Sequence, residues 1–317
     1  MVQSNVKDSV LISTYTKDTR STLMGMAIIM IVMFHVSQTL QTNDIVAKMS
    51  CYIFGDGWVG VDMFFLLSAY GLCYSYKSNS ILTFYKRRFM RLYPMYTLAV
   101  VVGVCLGNDD GGGELWTFFS QITGLALFNS SESLLWYIEA TIFLYIGFPL
   151  IFKLCKMLFE RGIWLFMIIC ILTYASLLII DDYWIQITVK RIPVIMLGVF
   201  TYLCDEYSQK RKMYLYYGSL CLLAMIPLLK SMCFYVPAFM LLVAITNMKM
   251  FFLNFLGRHT LEIYIAQHFS LFVFVNFEEL NTAIQICLYV IAVASLSTCL
   301  FYFDKAVKNV LILRRYT

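Results

Sequence analysis

Long apolar runs alternate with short polar intervals that carry most of the charge. A membrane-spanning helix needs about 20 mainly apolar residues. About ten stretches meet or approach that length, near 22–40, 57–76, 92–107, 134–152, 163–180, 190–204, 214–230, 233–248, 259–277 and 282–303. The pattern predicts an all-α, polytopic integral membrane protein with about ten transmembrane helices. One further stretch, 115–128 (LWTFFSQITGLALF), is apolar but short, which predicts a re-entrant or interfacial segment. The first twenty residues are polar and the following run is long enough to span, so the first helix is expected to stay uncleaved. The organisation predicted is an N-terminal segment 1–21, a single transmembrane domain 22–303 and a tail 304–317.

Charge orients these spans. With the N-terminus inside, all of the 24 basic residues except Lys48, Lys190, Arg191 and Lys230 fall on cytoplasmic segments. That is the positive-inside distribution, and it places both termini in the cytoplasm. The opposite loops are acidic, with Asp44, Asp56, Asp109, Asp110, Glu114, Glu132, Asp181, Asp182, Glu278 and Glu279. An eleventh span at 115–128 would invert every later loop. Composition agrees: 61% of the 317 residues are hydrophobic, 14% are charged, and mean hydropathy is +0.75. Soluble domains hold about 45–50% apolar and about 25% charged residues, so lipid must cover this surface. A net charge of +5, scattered in small clusters, excludes a nucleic-acid partner. The ten cysteines form no C-x-x-C pair and no metal-like spacing, and no metal is expected.

Ionisable groups inside a membrane are costly and mark function. His35, Asp62, Glu139, Glu262 and His268 fall within predicted spans. His35, Asp62 and Glu139 each lie about five residues from the predicted outer end of a helix, or roughly 7–8 Å deep, with His268 somewhat deeper. A shared level on four helices reads as one site. A histidine can act as general base near neutral pH, and Asp62 or Glu139 could fix its tautomer. The same set could equally be a polar network that ties the bundle together. At the inner end of the third span, FYKRRFMRLYP carries Lys86, Arg87, Arg88 and Arg91. Arg88 and Arg91, three apart, share a helix face and would clamp phosphate, although a basic cluster there is also a topology signal.

Four blocks resemble integral-membrane acyltransferase family 3, in the family's order and over most of the chain. They are GMAIIMIVMFHVSQ, GWVGVDMFFLLSAYGL, FYKRRFMRLYPMY and LGRHTLEIYIAQH, with LLWYIEATIFLYIGFPLI fitting between the last two. The resemblance implies a ten-helix bundle in a bacterial inner membrane. It also implies transfer of an acyl group, acetyl by default, from cytoplasmic acyl-CoA to a hydroxyl of a cell-surface or lipid-linked glycan. Carried over, His35 is the catalytic histidine and Arg88 and Arg91 are the R-x-x-R pair on the CoA side, with Arg87 beside them. Asp62 takes the acidic position of the second block and His268 the last histidine of the fourth. Met24 stands where the family has Arg or Lys, eleven residues before the histidine, and Arg20 lies about 6 Å further toward the cytoplasm. Two other readings use the same residues: an exporter of a glycan intermediate or small carboxylate, whose buried ions are coupling groups, and an inactive subunit of a glycan-assembly complex.

Overall fold

A computed structural model describes residues 17–40, 45–105, 114–128, 135–209, 250–277 and 279–313, with scattered positions between 211 and 219. Every regular element among them is helical. In chain order these are α1 (Lys17–Thr39), α2 (Ile45–Phe54), α3 (Val59–Lys77), α4 (Ile81–Cys105), α5 (Glu114–Thr123), a 3₁₀ turn (Leu125–Phe128), α6 (Trp136–Arg161), α7 (Ile163–Leu177), α8 (Tyr183–Val189), α9 (Ile192–Glu206), α10 (Phe251–Arg258), α11 (Thr260–Ser270), α12 (Phe272–Asn276) and α13 (Thr282–Leu313). Helix is the expected solution, since hydrocarbon offers no partner for an unpaired backbone group.

Among the described residues, five segments are long and apolar enough to cross a membrane: Arg20–Thr39, Lys48–Lys77, Trp136–Arg161, Tyr183–Glu206 and Thr282–Val310. Ile163–Leu177 and Thr260–Phe274 are apolar but shorter. The stretch predicted at 92–107 is the far half of α4, which runs unbroken through Pro94 and carries the basic cluster on its near half. The predicted span 233–248 lies outside the described residues, as do most of 214–230 and the two ends of the 108–133 interval, 108–113 and 129–133. Two elements depart from the sequence expectation. Short helices α2 and α10 precede the second and ninth predicted spans, with Tyr52, Phe251 and Phe252 exposed.

The 115–128 segment is α5 followed by a break at Gly124 (φ +79°) and the 3₁₀ turn. Ten residues of α-helix reach about 15 Å, half of a hydrocarbon core of about 30 Å. Burial on α5 is inverted relative to a helix facing water. Thr117, Ser120 and Gln121 are buried, whereas Leu115, Trp116 and Phe119 are exposed. The polar residues recur at i, i+3 and i+4, so they form one stripe.

The chain divides into two compact units. Unit 1 comprises Met1–Gly25, Asp62–Ile81 and Ile146–Gly257, and unit 2 comprises Met26–Val61, Leu82–Tyr145 and Arg258–Thr317. The division falls within α1, α3 and α6 and at the ends of α4 and α10.

Unit 1 is organised on a parallel α3–α9 seam. Arg191 meets Asp62, Gly198 meets Leu66 and Ala69, and Asp205 accepts hydrogen bonds from Tyr70 (3.1 Å) and Tyr74 (2.9 Å). Lys77 and Glu206 close the seam with a 3.1 Å ion pair. Residue numbers rise together on both helices, and the α9 side recurs every seven residues, the period of a left-handed helix pair. Gly198 is required at the middle, because a Cβ there would stand 2.4 Å from the Leu66 carbonyl oxygen. Small residues at such crossings let membrane helices pack backbone to backbone. Gly25 and Gly257 serve α1 and α10 in the same way.

In unit 2, α11 and α12 pack along α13. Val36, Leu40, Ala266, Val273, Phe274, Tyr289 and Val293 form one buried cluster. Gly60 seats the first turn of α3 against the Ala27 carbonyl of α1.

Candidate functional site

Unit 2 holds most of the ionisable residues singled out by sequence. His35 lies on the last turns of α1, beside the cluster residue Val36, and its carbonyl accepts a 2.6 Å hydrogen bond from Thr39 Oγ1. His268 lies in the last turn of α11, three residues before the break at Leu271. Both imidazoles are half-buried. Val36, next to His35, and Ala266, two residues before His268, belong to one buried cluster, so these two histidines, 233 positions apart in sequence, share one locality.

Glu139, in the first turn of α6, is fully buried. Its Oε1 lies 3.4 Å from the hydroxyl of Tyr96 on α4, itself fully buried. The Tyr96 hydroxyl also donates to the Gln121 carbonyl on α5. One tyrosine thus ties three elements together at the polar stripe of α5. Tyr264 of α11, packed edge-on to Tyr137 at 5.3 Å, stands near the same carboxylate. Sequence reading missed Tyr96 entirely; a tyrosine in an aromatic-rich helix gives no signal by type. Glu262 lies in the first turn of α11, 3.9 Å from His259 Nδ1 and at the opposite end of that helix from His268.

The basic cluster also belongs to unit 2. Arg88 is half-buried, bonds Tyr145 of α6 and lies over the Phe84 ring at 5.9 Å. Its Nε has no hydrogen-bond partner among the described residues. Arg87 and Arg91 are exposed. The helix therefore turns one guanidinium inward and leaves its two neighbours at the surface.

Asp62 belongs to unit 1, where its partner is a cation. Arg191 Nε stands 2.9 Å from Asp62 Oδ1, with side-chain exposures of 3% and 0%. The sequence did mark Arg191, as one of four basic residues off the cytoplasmic side, but gave it no partner. Arg20, also in unit 1, lies with its guanidinium against Gly71, about 3.0 Å from where a Cβ would be. Met24 is buried.

Helices of this length and apolarity, with ionisable groups sealed among them, define an integral membrane protein. Over residues 23–302 the chain matches the acyltransferase domain of acyltransferase family 3, and it belongs to that family. It is 27% identical over 125 residues to acyltransferase MdmB of Streptomyces mycarofaciens. That alignment covers 34% of this chain and 32% of the relative, so the chain spans about a third of that relative's length. No solved structure matches the chain.

Proposed function

We propose that this chain is a membrane O-acyltransferase that crosses the bilayer about ten times with both termini in the cytoplasm. It moves an acyl group, acetyl by default, from cytoplasmic acyl-CoA to a hydroxyl of a cell-surface or lipid-linked glycan. The observation that carries the reading is the shared cluster of Val36 and Ala266, which brings His35 and His268 to one locality, within a chain of this family. In this reading, neutral His35 takes the proton of the acceptor hydroxyl as its oxygen attacks the thioester carbonyl, and CoA leaves as thiol. His268 and Glu139 line the same unit and orient the acceptor. Arg88 supports the donor end: its unpartnered Nε, with Arg87 and Arg91 alongside, suits the phosphates of CoA.

Acetyl-CoA should raise the unfolding temperature of the purified protein in detergent, because a ligand that binds only the native state stabilises it. The Arg88→Ala/Arg91→Ala double variant should lose that shift. His35→Ala should keep it while losing acyl transfer by about 10²-fold or more. A wild-type protein that is folded yet unmoved by millimolar acetyl-CoA would overturn the donor assignment.

A further inference from the structure

We propose that Arg191 is a positioning residue, and that Asp62 acts only through it, as one half of a sealed charge latch rather than as a proton-transfer group. Three observations carry this. The carboxylate and guanidinium are both almost wholly excluded from solvent and 2.9 Å apart. Arg191 also donates from Nη1 to the Ile187 carbonyl at 2.7 Å, so its guanidinium is held at the end of α8 as well as at α3. And Arg191 stands where the candidate span Tyr183–Glu206 is interrupted, between Val189 and Ile192, with Pro193 opening α9.

The physical argument follows from that break. The helix loosens at Lys190–Arg191, about 12 Å into the span, where Arg191 N–H bonds the Thr188 carbonyl and Pro193 has no N–H to give. The backbone ladder is thinnest at that turn. Pro193 tolerates the break, since its missing N–H falls in the first turn of a new helix. Arg191 repairs it, binding back to α8 and across to α3. Below it the Gly198 contact requires α9 to meet α3 in one register. The latch is therefore the upper pin of the seam, and Asp205 and Glu206 are the lower pins. An Asp62 carboxylate held 2.9 Å from a buried guanidinium is engaged in pinning the seam.

Breaking one half of a buried pair leaves an uncompensated charge, whereas neutralising both halves is often tolerated. Asp62→Asn and Arg191→Gln should each lower the unfolding temperature by about 5–10 °C. Each should also cut acetyl-CoA turnover about tenfold or more, by loosening the α3–α9 seam. The double variant Asp62→Asn/Arg191→Gln should recover most of both losses, and Arg191→Lys should fall between wild type and Arg191→Gln. Thiol release from acetyl-CoA and thermal unfolding would be read on all five proteins. A double variant that regains stability but not turnover would show that the Asp62 carboxylate enters the chemistry and would overturn the proposal. A double variant no better than the singles would show that the two residues are not energetically coupled, with the same consequence. The turnover arm rests on the acyltransferase reading. A wild type without turnover would sink that reading alone, and the stability cycle would still decide the latch.

Discussion

At the residue scale, burial sorts the ionisable groups into different kinds. His35 and His268 are half-buried, beside a shared apolar cluster that includes Val36 and Ala266. Glu139 and Asp62 are both sealed, but Asp62 faces a cation and Glu139 faces a phenol. Their identical depth in the sequence reading concealed that difference, because depth along a helix says nothing of azimuth. Tyr96 makes the distinction testable. Its hydroxyl donates to the Gln121 carbonyl and stands 3.4 Å from Glu139, so Tyr96→Phe removes a buried polar contact that joins α4, α5 and α6. The loss should be about 1–3 kcal/mol of stability. Chemical or thermal unfolding in detergent checks it, and acetyl-CoA affinity should stay unchanged.

At the element scale, α5 is the informative case. Its length was legible: ten helical residues cannot span, and the charge of later loops forbade a crossing. What sequence did not assign was the side each face takes. A helix that buries Thr117, Ser120 and Gln121 and exposes Leu115, Trp116 and Phe119 is stable only if hydrocarbon lies outside and polar groups inside. In a variant retaining Trp116 as its sole tryptophan, lipids brominated on their acyl chains should therefore quench most of its fluorescence in proteoliposomes. Quenching confined to aqueous iodide would place α5 outside the bilayer. The seam between α3 and α9 shows the opposite balance. Ala69 is a small residue on that seam, yet its partner Gly198 is a tertiary fact, as are the α1 partners of Gly60 and Gly71, Ala27 and Arg20. Helices α2 and α10 went unread because short apolar helices abutting a long span merge with it in any hydropathy window.

At the scale of the whole molecule, the family match runs from residue 23 to residue 302 and so takes in both compact units. The His pair, Glu139 and the basic cluster belong to one unit, and Asp62, Arg191 and Arg20 to the other. The proposed topology is testable without knowledge of the acceptor. A reporter active only in the cytoplasm, fused after Thr317, should be active, and one fused after Asp181 should be silent; the reverse would invert the positive-inside assignment.

By itself the sequence determined that this chain is helical, lies in a membrane and carries the blocks of acyltransferase family 3. These properties depend on composition, on run length and on short local motifs, all of which are linear in the chain. It also marked His35, His268, Arg88 and Arg91, since an ionisable residue inside a span, or a basic pair on one helix face, stands out wherever the helix packs. Only the tertiary structure decided partners. It brought His268 to His35, gave Asp62 to Arg191, tied Glu139 to Tyr96 and turned the polar stripe of α5 inward. Each of these depends on which helices are neighbours and on how each is rotated about its axis. Apolar runs nearly uniform around the helix carry no record of either, because lipid and a neighbouring helix are equally good solvents for a leucine.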